Sequence, residues 1–212
     1  MNVRVIAGRW GNGARRGVPA FAVLFLLLFL LALLALGWRR VYGNYFLKAA
    51  YPCKYSAIVE TCSAREKLDP HLVYAVIRTE SNFNAGAHSN KDARGLMQLT
   101  PATFEWAMGK AAEKEAYTSA DLYRPEVNIR YGTQVLAAFL ADFGDERTAL
   151  AAYNAGPSNV KKWLADKRYS SDGKTLSAIP FAETRGYVEK VEEGKKMYAA
   201  LYADTGAQSV SS

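Results

Sequence analysis

Between Arg16 and Arg39 lie 22 residues without a formal charge, and Phe21 to Leu36 is a nearly unbroken run of Leu, Phe, Ala and Val. As a helix this stretch would be about 33 Å long, enough for the hydrocarbon core of a bilayer. The run therefore separates a membrane segment from the rest of the chain. Arg4, Arg9, Arg15 and Arg16 precede it, whereas only Arg39 and Arg40 follow at once. Positive charge collects on the cytoplasmic side of such segments, so the expectation is a single-pass protein of the cell membrane with its N-terminus in the cytoplasm and its main domain outside. The expected division is a short cytoplasmic basic segment over 1–17, an anchor over 18–38, a juxtamembrane tether over 39–54, a folded domain over 55–202 and a disordered tail over 203–212. Trp38, Tyr42 and Tyr45 are placed to settle at the outer interface. The alternative is a cleaved signal peptide, for which Ala35-Leu36-Gly37 offers a weak site, although the apolar run is longer than a usual signal core. Arg15-Arg16 alone is weak support for a twin-arginine signal. Every one of these alternatives exports the domain.

The formal charge of +7 suggests nucleic-acid binding until it is divided along the chain. Residues 1–54 hold eight Lys or Arg and no acid, which leaves 19 basic against 20 acidic residues in 55–212. A domain of net charge −1 lacks the basic footprint that nucleic acid requires, so no nucleic-acid partner is expected. Cys53 and Cys62 could pair after export. If Ser56 to Lys67 is helical, their nine-residue offset is too long for a bridge, and two free thiols are expected. His71 and His88 are too few and too poorly partnered for a metal site, and no cofactor is implied.

Period-two alternation is scarce, so the domain reads as mainly helical. Asp69-Pro70 and Thr100-Pro101 each pair an N-cap with proline at the first helical position, the first opening a helix that ends near Glu80 and the second a helix through Met108. From Pro125 to Phe143 the residues Val127, Tyr131, Val135, Phe139 and Phe143 recur every four positions, which predicts a long core helix. A helix around Thr148 to Tyr153 stops at Gly156-Pro157, and Ser158 is placed to cap a short helix carrying Trp163. Residues 166–178 read as an exposed loop, and a last helix runs from about Phe181 to Leu201.

One acid sits where a helix should bury apolar groups. At 100° per residue Glu80 points within about 60° of Val73, Val76 and Ile77, so its carboxylate faces the packed side. Desolvation and the negative end of the helix dipole would both favour the neutral form, and a carboxyl kept protonated near neutral pH is a general acid. On geometry alone, a Glu paired with a buried Arg or exposed at a frayed helix end remains open.

The chain continues with Glu80-Ser81-Asn82-Phe83, Ser89, Gly95-Leu96-Met97-Gln98-Leu99, Ala152-Tyr153-Asn154-Ala155-Gly156-Pro157 and Ile179-Pro180-Phe181-Ala182-Glu183-Thr184-Arg185-Gly186-Tyr187-Val188. Four motifs in this order resemble the catalytic domain of lytic transglycosylases of the soluble-lytic-transglycosylase type, and the resemblance runs from about Tyr51 to Tyr202. It implies a lysozyme-like helical domain with a substrate cleft, acting on peptidoglycan glycan strands. Glu80 would be the catalytic acid and then base, with the C6 hydroxyl of the same N-acetylmuramic acid as nucleophile, so that a 1,6-anhydro ring forms. The substrate's acetamido group would stabilise the intermediate, which removes the need for a second carboxylate.

The same resemblance assigns substrate contacts to Ser89, Gln98, Tyr153, Asn154, Glu183 and Tyr187, with Tyr153 close enough to the acid to orient it. Four of them have a structural alternative: a turn for Ser89, the core for Tyr153, a helix C-cap for Asn154 and an N-terminal cap for Glu183. Glu183 and Tyr187, four apart, would share a helix face and one wall of the cleft. Gly95 would let backbone approach the ligand. Met97 suits either cleft or core, whereas Leu96 and Leu99 suit packing. Where the commoner family pattern has Gly-Ala, this chain has Asp92-Ala93. Asp92 is either a solvent-facing turn residue or a second carboxylate that would favour hydrolysis by a muramidase. A catalytically silent glycan-binding scaffold is the remaining alternative, and other cell-wall or secretion proteins are conceivable partners.

Overall fold

A computed structural model describes residues 20–111 and 116–203. The expected basic segment over 1–17, the first two residues of the expected anchor and all but Ala203 of the expected tail lie outside the described residues. The chain divides into two compact units, Met1–Phe46 and Leu47–Ser212.

The described part of the first unit is helical. Helix α1 runs over Ala20–Ala50, so its last turn belongs to the second unit, and residues 39–50 of the expected tether are helical. Its stretch Phe21–Trp38 is long and apolar enough to cross a membrane, and none of it is buried against protein.

The second unit holds α2 (Ser56–Glu66), α3 (Pro70–Ser81), α4 (Pro101–Lys110), a 3₁₀ turn (Ser119–Tyr123), α5 (Pro125–Phe143), α6 (Glu146–Ala155), α7 (Pro157–Leu164) and α8 (Ala182–Tyr202). Among the described residues there is no strand, only isolated antiparallel bridges joining Arg94 to His88 and to Leu99. The caps written in the sequence are made. Asp69 accepts from the His71 amide at 2.9 Å, and Thr100 from the Thr103 amide at 3.3 Å. Asp145 accepts from the Thr148 amide at 2.8 Å and starts α6. Each such cap stabilises its helix by about 1 kcal/mol.

Helix α5 runs through the core as its four-residue period predicts. Val127, Tyr131, Val135 and Phe139 are buried, and Phe143 packs partly against the same cluster. Gly132 is needed on this helix because a Cβ there would stand 2.4 Å from the sulfur of Met97. Helix α3 packs chiefly on α8, where Gly194 admits Ala75 and Tyr74 stacks on Tyr198 at 5.3 Å between ring centres. The chain entering this unit is tied to the same pair. Arg78 donates to the Ala50 carbonyl at 2.9 Å, Tyr198 to that of Pro52 at 3.1 Å and Tyr202 to that of Tyr51 at 2.9 Å.

Two local expectations change. Ser158 is an exposed residue inside α7, whose N-cap is Gly156 at φ 87°, because the glycine turns the chain directly into Pro157. Residues 166–178 are not simply an exposed loop. Ser170 and Leu176 are buried, and the Leu176 amide donates to the Thr148 hydroxyl at 3.1 Å. Asp172 holds the turn between them by accepting from the amides of Lys174 and Thr175, each at 2.8 Å. Cys53 and Cys62 are free thiols, pushed up in pKa chiefly by burial.

Candidate active site

The site is assembled around the C-terminal end of α3. Val73, Val76 and Ile77 are fully buried, and Glu80 extends from the same face into an open cavity of about 410 Å³. Ser81 beside it donates to the Leu96 carbonyl at 2.8 Å, which binds the end of the helix to the Gly95–Leu99 loop. Burial raises the Glu80 carboxyl to about 7, opposed by the Tyr187 hydroxyl, which favours the charged form. That hydroxyl is itself buried and has no partner at full hydrogen-bond geometry, so the two groups lie close without a formed bond.

Six of the seven residues singled out in the sequence line this one cavity: Glu80, Ser89, Gln98, Tyr153, Asn154 and Glu183. Tyr187 does not; it is 7 % exposed, and it reaches Glu80 from inside α8 rather than sharing a wall with Glu183, which stands exposed in the first turn of that helix. The other helix residues are placed by their ends. Tyr153 donates to the Met97 carbonyl at 2.9 Å, and its own pKa is driven well up by burial and then by the charge of Glu80. Asn154 is not the C-cap of α6, a place taken by Gly156; its amide oxygen accepts from Thr184 at 2.8 Å and so joins α6 to α8.

The loop residues combine structural work with exposure to the cavity. Ser89 makes the turn that was its structural alternative, accepting from the amides of Lys91 at 3.2 Å and Ala93 at 3.0 Å. Its hydroxyl proton stays uncommitted. Gln98, at φ 50°, donates to the carbonyls of Gly95 at 2.9 Å and Ala87 at 3.3 Å, leaving its amide oxygen for a ligand. Met97 is fully buried and belongs to the core.

Asp92 has φ 58°, the left-handed conformation that glycine adopts freely and Asp tolerates better than most residues. The side chain accepts from Arg94 at 2.8 and 3.0 Å and meets His88 at 2.7 Å, which holds its carboxyl below the usual range, and it does not line the cavity.

Sequence reasoning missed the support beneath this loop. Asn128, fully buried on α5, accepts from the Met97 amide at 2.7 Å and donates to the carbonyls of Arg94 and Leu122, both at 2.8 Å. This bracket by itself requires glycine at position 95: at φ 76°, a Cβ there would fall 2.1 Å from the Leu122 carbonyl and 2.3 Å from the Asn128 amide nitrogen. Lys91, Thr100, Thr103 and Phe139 also line the cavity. A polar residue inside the apolar α5 period was the available sign of Asn128; no comparable signal marked Lys91. Among the described residues no cluster of His, Cys, Asp or Glu is arranged to hold a metal.

An acid that titrates at about 7, beside polar groups that converge on an open cleft, suits proton transfer to and from a bound ligand. The same stretch of chain, residues 58–176, matches the family model of the transglycosylase SLT domain. The chain belongs to this family. The matched stretch ends before Glu183 and Tyr187, so α8 lies beyond it. The SLT domain here is 34% identical over 148 residues to the soluble lytic murein transglycosylase of Escherichia coli K12, covering 68% of this chain and 23% of that protein. It is 32% identical over 187 residues to the membrane-bound lytic murein transglycosylase C of Edwardsiella ictaluri, covering 74% of this chain and 49% of the relative. Among solved structures, an inactive Glu-to-Gln mutant of the lytic transglycosylase Slt from Pseudomonas aeruginosa matches with a TM-score of 0.64 and 34% identity, over 73% of this chain and 25% of that one. The 70 kDa soluble lytic transglycosylase of E. coli matches with a TM-score of 0.67 and 29% identity, over 74% and 26% of the two chains. The expected lysozyme-like helical fold is the one found. This chain spans about a quarter of the length of the soluble relatives.

Proposed function

We propose that this protein is a membrane-anchored peptidoglycan lytic transglycosylase that cleaves the β-1,4 bond between N-acetylmuramic acid and N-acetylglucosamine and leaves a 1,6-anhydro end. The observation that carries the reading is Glu80, raised to about 7 by burial, at the cavity shared by the sequence motifs of an SLT domain. In the acid form Glu80 protonates the leaving oxygen as positive charge develops at the anomeric carbon. The resulting carboxylate then takes the proton of the C6 hydroxyl, which closes the ring and restores the acid. Ser89, Gln98, Asn154 and Glu183 are assigned to hold the sugars, and Tyr153 to fix the cavity wall beside the acid.

The names of the relatives support this chemistry, and so does the inactive Glu-to-Gln mutant of the Pseudomonas enzyme. Hydrolysis loses its candidate second carboxylate, because Asp92 is engaged by Arg94 and His88 away from the cavity. The apolar helix and the excess of arginine before it support a single membrane pass with the domain outside. The membrane-bound relative supports the same arrangement.

Mass spectrometry of muropeptides released from purified peptidoglycan by the full-length protein in detergent tests the reading. Products with 1,6-anhydro ends are expected. Reducing ends, one water heavier, would mean a muramidase; binding without release would mean a glycan-binding scaffold.

Tyr187 supplies a sharper test of the acid/base cycle. The acid form of Glu80 is present below about pH 7, so kcat/KM falls as pH rises through that value. Tyr187 favours the carboxylate, so Tyr187→Phe should move the alkaline limb upward by about half to one pH unit and slow turnover roughly tenfold. A limb that stays in place would remove Tyr187 from the cycle.

A further inference from the structure

Lys91 is the one cationic side chain among the described residues that line the cavity. Its ammonium stands 3.4 Å from Glu183 Oε1, with the two side chains 71% and 73% exposed. Such a pair is worth at most about 1 kcal/mol, so an incoming group displaces it cheaply. The backbone that presents Lys91 is not loose. Ser89 clamps the turn on both sides of it through the amides of Lys91 and Ala93, and the Ser89 amide donates to the Ala93 carbonyl at 2.9 Å.

The neighbouring acid does not cancel this charge. Asp92 is paired with Arg94 and also hydrogen-bonded with His88, so its carboxylate is spent within the loop. Glu80, largely neutral below about 7, does not cancel it either. The cavity therefore offers one ammonium held by one exposed carboxylate, and a second carboxylate on the substrate would compete for it.

We infer that Lys91 is a specificity determinant that exchanges its contact with Glu183 for a carboxylate carried by the muramyl residue of the bound glycan. This inference rests on the proposed transglycosylase function. It adds to that reading the residue that would favour a carboxylate-bearing glycan over a neutral polymer of N-acetylglucosamine. The carboxylate has two possible sources, the lactyl group of a muramic acid that carries no peptide and, where a peptide is attached through that group, the peptide's own carboxylates. An ammonium is a compact point charge without a preferred plane, so it suits a flexible substituent better than a fixed ring hydroxyl.

The test is steady-state kinetics of the full-length protein in detergent on soluble muropeptide tetrasaccharides in three forms: peptides intact, peptides removed by an amidase so that only lactyl carboxylates remain, and all carboxylates converted to amides. Lys91→Met should raise KM about two- to fivefold on carboxylate-bearing forms, with kcat little changed, and Lys91→Glu about tenfold or more. Lys91→Arg should restore most of the loss. A penalty on the intact form alone assigns the contact to a peptide carboxylate, a penalty on the stripped form alone assigns it to the lactyl carboxylate that the peptide bond masks in the intact form, and a penalty on both means that Lys91 accepts either. Equal penalties on the amidated form, or none on any form, would overturn the inference. If the wild type released no anhydro product from any form, the functional reading itself would fail, an outcome distinct from these.

Discussion

Glu80→Gln is expected to lower kcat by about 10³-fold or more while making the folded protein more stable above pH 7. The loss of rate follows from removing both halves of one proton cycle. Glutamine can neither protonate the leaving oxygen nor accept the C6 proton, yet it fills the same volume, so substrate binding should persist. The gain in stability has a separate cause. Burial raises Glu80 to about 7 from an ordinary value of 4.5, so the folded protein binds this proton more tightly than the unfolded chain does. The associated stabilisation is present in full below about pH 4.5. It declines as pH rises through 7, where the carboxylate must exist in a desolvated place. A shift of this size corresponds to about 2–3 kcal/mol after allowance for the solvent that the open cleft admits. Glutamine carries no such penalty. Urea unfolding of the two proteins at pH 5 and pH 8 should therefore show near equality at the lower pH and an advantage for the variant at the higher. Retained turnover by Glu80→Gln would remove Glu80 from the mechanism, and equal stability at both pH values would mean that its carboxyl is not desolvated.

The helices were legible where chemistry is local. Asp69-Pro70, Thr100-Pro101 and the four-residue period from Val127 to Phe143 each predict an element whose bounds the structure reproduces within a few residues. The cavity was legible for a different reason: its lining comes from motifs at widely separated positions, and only a family resemblance connects them. What local pattern does not reveal is which neighbour a side chain meets across the fold. Gly95 read as a place where backbone could approach a ligand, and nothing local announced that it also makes room for Asn128 and the Leu122 carbonyl. Tyr187, one turn from Glu183, faces the interior because α8 packs that side against the rest of the domain. The 166–178 loop is polar enough to read as solvated, but Asp172 takes the amides of Lys174 and Thr175 and Thr148 takes that of Leu176, which allows Ser170 and Leu176 to be buried. Asp92 departs from the family pattern, and what it meets, Arg94 and His88 at a φ of 58°, could not be read from the sequence.

Asn128→Ala should destabilise the domain by roughly 3–5 kcal/mol, a large share of the 5–15 kcal/mol that a domain commonly has. The side chain serves three backbone groups, none of which is reached by solvent through it. The Arg94 carbonyl retains a second donor in the Leu99 amide at 3.1 Å, so the penalty falls on the Met97 amide and the Leu122 carbonyl, together with the cavity left behind. The functional effect should exceed that of an ordinary core truncation, because the same loop is what the active site leans on. The carbonyls of Leu96 and Met97 accept from Ser81 and Tyr153, the neighbours of Glu80 in sequence and in the cavity wall. Loosening Met97 frees both contacts at once, and kcat should fall by about tenfold or more even below the temperature at which the variant unfolds. Asn128→Asp provides the control: it keeps an acceptor for the Met97 amide, loses the two donors and buries a charge, so it should be at least as destabilised as the alanine variant near neutral pH and recover in acid. Urea midpoints together with turnover at 25 °C decide the matter. An alanine variant within 1 kcal/mol of the wild type would mean that water replaces the amide, and a destabilised variant with unchanged kcat would mean that the loop keeps its geometry without Asn128.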